Sequence, residues 1–362
     1  MAITNRDFDV AVRLLSGGTN EAIYNDVGLP SIMVRKDKKQ ISEVIAGGSA
    51  STHPAFIVDG VEVPSFYISK FQNVVYKGRA YSLPMQDPGN SINFDNAKAA
   101  CEANGPGFHL PTIAEYAFIA QEARNRGTMP RGNNNYGKDH SAPWETGIPT
   151  YIDGEGRVCR VATGSGPVSW SDNWQEDGIW DLNGNVHEWQ GGYRTVDGEI
   201  QIIPDNNAAM QINQNPDSTF WKAIMPDGSL VAPGTPGTLK WDYLNPVPVG
   251  GTGEYAFRLN TVIANPADNE TAYGSVLFHA LTAADGVNVP ELLKVLCLFP
   301  NEPGGDYGND RLYMRNIGER LAYRGGNWTI ASNAGVFCMG GSHPRSHVPA
   351  ALGFRSAYIP GI

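Results

Sequence analysis

The chain has 362 residues, 41% of them hydrophobic, and a formal net charge of −10 at pH 7, which is material for one large domain with insertions or for two or three smaller ones. This balance excludes collagen-like and disordered classes, and it argues against broad electrostatic attraction to nucleic acid or anionic membrane. Glycine (42), proline (25) and tryptophan (8) are plentiful while charged residues are 18%, so loops anchored by aromatics are expected, with helix in the minority.

The start, MAITNRDFDVAVRLL, carries charges where a secretory leader needs an apolar stretch, so no signal peptide is expected. No apolar run reaches the length of a membrane span. DVAVRLL reads as a short helix or strand, and GGSASTH (47–53) as a linker closing an N-terminal segment, 1–50. AFIVDGVEVPSFYISKFQN (55–73) alternates apolar and polar residues around Asp59-Gly60, a hairpin signal. Phe94, Ala97 and Cys101 lie at helical spacing ahead of Gly105.

LPTIAEYAFIAQEARNRG (110–127) is the clearest helix. Thr112 and Glu115 form a capping box, and Ile113, Tyr116, Ala117, Ala120 and Ala123 give it one apolar face. From 128 to 175 the chain is rich in Gly, Asn and Pro, with Trp144, Trp170 and Trp174 expected to pin the loops. In GIWDLNGNVHEWQGG (178–192) a tight Asn183-Gly184-Asn185 turn sits between aromatic flanks. Trp180 and Trp189 supply buried area there, while Asn185 and Glu188 can tie loop backbone together. PELLKVLCLF (290–299) reads as a buried helix with proline in its first turn. From Leu321 to Ile362 there is no Asp, Glu or Lys.

The familiar enzyme signatures, G-x-S-x-G, the P-loop, G-x-G-x-x-G and HExxH, do not occur. Cys101, Cys159, Cys297 and Cys338 are far apart and form no CxxC pair. His343 and His347 are four apart, but Pro344 and Pro349 oppose a helix, so two loop histidines are expected and no metal. The acidic loops 205–217 and 301–310 do not match EF-hand spacing and read as Asn/Asp turns.

Four pieces then follow in order: FIVDGVEVPSFYISKFQN, GFHLPTIAEYAFIA, GIWDLNGNVHEWQGG, and YRGGNW with LGFRSA. Together they resemble the formylglycine-generating-enzyme (sulfatase-modifying factor) type of C-type lectin fold, over about 50–192 and 320–358. The resemblance implies an α+β, C-type-lectin-like domain over 51–362, loop-rich, with short strands and two or three helices. A large insertion interrupts it at about 193–319. The oxidase of that family needs paired cysteines late in the domain. Here Cys338 stands alone and Ser356 follows the GFR motif, so no enzyme activity and no cofactor are expected.

The late segment is more similar to the variable proteins of diversity-generating retroelements, often phage-encoded, whose C-terminal region is rewritten by adenine-directed mutagenesis. Asn codons of the form AAY can become Thr, Ile, Cys, Gly, Ser, His, Pro or Ala, among others. Thr329, Ile330, Cys338, Gly340, Ser342, His343, His347, Pro349, Ala350 and Ala351 fit that set and are the candidate ligand-binding variable positions, within about 324–355. Their side chains are expected to point to solvent. Arg324, Trp328, Phe337, Arg345, Phe354, Arg355 and Trp189 are the expected scaffold of the site, with arginines pinning loop carbonyls.

The resemblance implies a binding protein with a hypervariable C-terminal face, serving phage receptor recognition (tropism) or surface display. The implied partner is a protein or glycan receptor on a bacterial cell surface, and the implied location a virion tail tip or a bacterial surface. Homo-oligomerisation through residues 1–50 stays open. The alternatives are an oxidase of the same fold and a purely structural virion protein.

Overall fold

Two β-sheets organise the chain in a computed structural model that describes residues 5–362. The first has five strands in the order Asn20–Tyr24, Pro30–Asp37, Ser65–Ser69, Ala357–Tyr358 and Phe108–His109. The second has twelve. Its centre runs Glu199–Ile202, His187–Val196, Glu319–Gly325, Gly335–His343, Arg311–Met314 and Ala272–Leu277. The architecture is therefore α+β and loop-rich, with four α-helices among the described residues where two or three were expected.

Chain position 50 is not a break in the first sheet. Pro30–Asp37 pairs antiparallel with Ser65–Ser69 over five residue pairs, so strands on both sides of that position share one ladder. DVAVRLL lies in a helix, Asn5–Leu15. The 193–319 insertion is built into the second sheet. Its strands extend the second sheet on both flanks of the His187–Val196 and Glu319–Gly325 pair.

Local chemistry explains the elements that position the site. Asp59 (φ 51°) and Gly60 (φ 72°) both take left-handed backbone, closing the two-residue hairpin between Ile57–Val58 and Val61–Glu62. The helix Ile113–Arg126 has the expected capping box: the Thr112 hydroxyl accepts from the Glu115 amide at 3.1 Å, and the Glu115 carboxylate accepts from the Thr112 amide at 3.0 Å. Gly127 at φ 70° ends it. The helix is buried all round from Ile113 to Ala123, where one apolar face was expected. It packs on His187–Val196 and Gly335–His343 and also on Pro54–Phe56 and Glu291–Val295.

Two further expectations need correction. The helix in 290–299 is a short one, Glu291–Val295, because Cys297 turns left-handed (φ 50°) and the Leu296 and Cys297 carbonyls are diverted to Arg324. Of the three loop tryptophans, Trp170 is fully buried and donates to Glu145 at 3.1 Å. Trp174 and Trp144 are 38% and 79% exposed, so Trp144 pins nothing.

The turn at 183–185 is a staple. Asn185, left-handed at φ 60°, donates to Gln72 and to the Val161 carbonyl (both 3.1 Å) and accepts from the Val161 amide (3.0 Å). One buried side chain thus ties three loops, which is what an irregular fold needs where ladders are short.

Candidate functional site

The late segment threads through the middle of the second sheet. Gly335–His343 lies antiparallel to Glu319–Gly325 on one side and parallel to Arg311–Met314 on the other. The expected scaffold residues fix this strand from beneath. Trp189, Phe337, Phe354 and Arg355 are completely enclosed, and Trp328 is nearly so. Phe337 stacks on Phe278 with ring centres 5.2 Å apart and meets Tyr307 edge-on. Trp189 donates to the Ile92 carbonyl at 2.9 Å. Ala334, Val336 and Leu352 are also buried.

The three arginines divide the pinning. Arg324, fully buried, donates from one nitrogen to the Leu296 and Cys297 carbonyls at 3.1 Å each. Arg355 forms a two-pronged pair with Glu188, at 2.5 and 2.6 Å, and also donates to the Ser69 and Trp180 carbonyls at 3.0 Å. It therefore joins the first sheet, the 178–192 staple and the chain terminus. Arg345 is held more by carboxylates than by carbonyls: Glu319 (2.8 and 3.0 Å) and Asp95 (2.8 Å), with one bond to the Gln214 carbonyl (3.0 Å).

The ten candidate variable positions do not share one environment. Thr329 and Ala350 are exposed. Ile330, His343, His347, Pro349 and Ala351 are partly exposed. Cys338 and Gly340 are buried and Ser342 is 6% exposed, which corrects the expectation that all ten side chains reach solvent. The reason is the strand itself: Cys338, Gly340 and Ser342 sit in mid-sheet between two neighbours, whereas His343, expected in a loop, is the last residue of the strand and the other six occupy the loops at its ends.

Several of these positions converge on one aromatic hollow of about 320 Å³. Its walls include His187, Tyr273, Tyr313, Arg315, Tyr323 and His343, and Ile330 and Ser342 complete it. Tyr323 is the hub. His187 meets it edge-on at 4.7 Å, Trp189 at 5.4 Å, and His343 stacks on it at 6.1 Å. His343 in turn stacks flat on His347 at 3.7 Å. The His187 amide donates to the Ala351 carbonyl at 2.8 Å, which draws the 349–351 loop to the same rim.

A glycine fixes where one wall of the hollow sits. Gly340 pairs with Tyr313 on one neighbouring strand and with Tyr323 on the other. A β-carbon at 340 would overlap the Tyr323 ring, so glycine here is what lets that ring lie against the strand where it walls the hollow.

The charges here are unusual for so acidic a chain. Arg315 donates to the Ala272 carbonyl (3.2 Å) and the Ser342 carbonyl (2.7 Å), and among the described residues no carboxylate lies within ion-pair distance of it. Burial, and then the neighbouring Arg320, lower its pKa. Burial pushes His187 and His343 down to about 3, so both are neutral at physiological pH. Burial also lowers His347, with Arg315 adding to it. Stacked neutral imidazoles cost no charge repulsion.

The thiols are poor candidates for chemistry. All four cysteines are buried and free. Burial raises Cys297 to about 12 and Cys338 further, with Asp310 adding to the second, so a thiolate nucleophile is disfavoured at both. Among the described residues no cluster of three or more His, Cys, Asp or Glu has metal-binding geometry, and no helix is long and apolar enough to cross a membrane.

Sequence reasoning missed the walls contributed by the 193–319 segment, Tyr273, Tyr313 and Arg315. The signal was present in RLYMR (311–315), where Tyr313 and Arg315 are two apart and so share one face of a strand.

No protein-family model matches the chain, and no curated protein matches it. Among solved structures it is similar to Treponema denticola variable protein 1, at 12% identity, 94% of this chain, 99% of that one and a TM-score of 0.34. It is also similar to the U1 variant of a major tropism determinant, at 12% identity, 90% of this chain, 62% of that one and a TM-score of 0.29.

Proposed function

We propose that this chain is a ligand- or receptor-binding protein that displays a variable C-terminal surface on a C-type-lectin-like scaffold of the formylglycine-generating-enzyme type. The role we infer is receptor recognition by a phage particle, or display on a bacterial surface, with a protein or glycan on a bacterial cell as partner. The observation that carries the reading is the contrast within one segment. Thr329, Ile330, His343, His347, Pro349, Ala350 and Ala351 are open or half-open, while Arg324, Phe337, Phe354 and Arg355 beneath them are enclosed. Binding specificity resides in few side chains and the rest of a fold has only to hold them still. In this reading Cys338, Gly340 and Ser342 vary under a packing constraint that the outer seven do not feel. Residues 1–50 are proposed to serve attachment or self-association, supported by the exposed Val10, Leu14 and Leu15 on the Asn5–Leu15 helix.

The test is a library randomised at the outer seven positions and selected on whole bacterial cells of several strains. Most members should fold and different members should retain different cells. If folded members bind every strain alike, or none, the reading fails.

A further inference from the structure

Resting on that reading, we propose that the aromatic hollow is a binding site for an acidic sugar unit of the hexuronate class, its carboxylate held by Arg315. Four features of the hollow lead there. Its size, about 320 Å³, is at the small end of the roughly 300–1,000 Å³ of small-molecule sites, which suits one sugar ring. Its walls are rings, Tyr273, Tyr313, Tyr323, His187 and His343, and flat apolar faces of this kind receive the C–H face of a pyranose. Those same walls carry phenol hydroxyls and the Ser342 hydroxyl, which match a polyol and are superfluous for a hydrocarbon.

The fourth feature is the charge. Arg315 is bonded to two carbonyls, and its neighbours Arg311 and Arg320 are already paired with Glu254 and Glu270. An arginine fork beside a polar, half-buried hollow is matched by a carboxylate more closely than by a neutral ligand. The imidazoles at its rim are neutral, so they offer hydrogen bonding and stacking and do not compete for the anion. The other hollows lack this arrangement. That of about 690 Å³ beside Lys38 and Glu62, for example, is lined by groups that pair with each other.

Gly340 makes the site specific to this variant. Any side chain there displaces Tyr323, a wall of the hollow, so one candidate variable position controls the shape of the site.

The experiment is ligand-observed NMR titration of the full chain with sodium glucuronate and sodium galacturonate. Glucose, glucuronamide and benzoate serve as comparators, and R315Q and G340A are run alongside. The uronates should bind at least tenfold more tightly than glucose or glucuronamide, since a charge-assisted hydrogen bond is worth about that factor or more. R315Q should lose the same factor, and G340A should lose binding of every sugar. Glucuronamide alters only the ligand, so the comparison holds even if a variant misfolds. Failure of the wild-type chain to bind either uronate, or equal affinity for the amide, overturns the proposal. Equal affinity for benzoate overturns the sugar and leaves only an acid site. If the uronates fail while the seven-position library still switches between strains, this inference falls and the display reading stands.

Discussion

Substituting asparagine at an enclosed variable position and at exposed ones separates the two environments in the late segment. Asparagine is the informative choice because an AAY codon encodes it. Cys338 has no solvent exposure and lies on a strand hydrogen-bonded on both sides. Asparagine there adds volume to a packed layer, costing about 1–3 kcal/mol. It also buries an amide without an assured partner, costing about 1–3 kcal/mol more. The sum is about 2–6 kcal/mol, a large part of the stability of a typical domain. Thr329 and Ala350 are exposed, and asparagine at either should change stability by no more than about 0.5 kcal/mol. Urea unfolding followed by tryptophan fluorescence measures all three. A cost below about 1 kcal/mol for C338N, or costs as large for T329N and A350N, would refute the division of the segment into rim and floor.

Removing one member of the Glu188–Arg355 pair, both of which have no exposure, leaves an uncompensated charge in the interior, and E188Q should cost about 3–5 kcal/mol. The E188M/R355M double variant should cost less than the sum of its singles by about 2–3 kcal/mol in a urea-based double-mutant cycle, and strict additivity would show that the pair is not coupled. His53 is fully buried and burial lowers its pKa to about 3, below the roughly 6.5 of the unfolded chain. The unfolded state therefore takes up a proton that the folded state refuses, and His53 erodes stability as pH falls from about 6.5 towards 3. H53N, which can still accept from the Ala55 amide, should flatten the pH dependence of unfolding by about 1.4 kcal/mol per pH unit between pH 6 and 4; an unchanged slope counts against a buried neutral imidazole.

What the residues disclosed in advance was mainly local. The Thr112–Glu115 box, the Asp59-Gly60 turn and the Asn185 staple are short-range devices, and each is present where the sequence put it. What stayed hidden was long-range. Nothing near Pro30–Asp37 says that it will pair with Ser65–Ser69, so residues 1–50 looked separable. Nothing near Ala272–Leu277 or Arg311–Met314 says that they flank the late strand, so the 193–319 segment read only as a large insertion of open role. Strand neighbours far apart in sequence are set by which edges meet, a property of the whole sheet. The expectation about Cys338, Gly340 and Ser342 failed for the same reason, since a residue that seems free to vary reads identically on a loop and in mid-sheet.

If the ten candidate positions vary as proposed, their placement on two tiers has a consequence for how such a face would change its ligand. Rim residues such as Thr329 and Ala350 are exposed, so exchanging them alters contacts one at a time and leaves the backbone where it was. Floor residues act on shape. With glycine at 340 the Tyr323 ring lies against the strand; with any other residue it must move, and with it the His187 and His343 rings that lean on it. A single change at 340 would therefore reshape the site by moving one of its walls, whereas changes at the rim would tune what a given shape prefers. The cost of the floor change falls on Tyr323, a ring 7% exposed and packed against Trp189, so movement is limited by the fixed indole behind it. That limit gives the face a small number of discrete shapes, each with many surface chemistries.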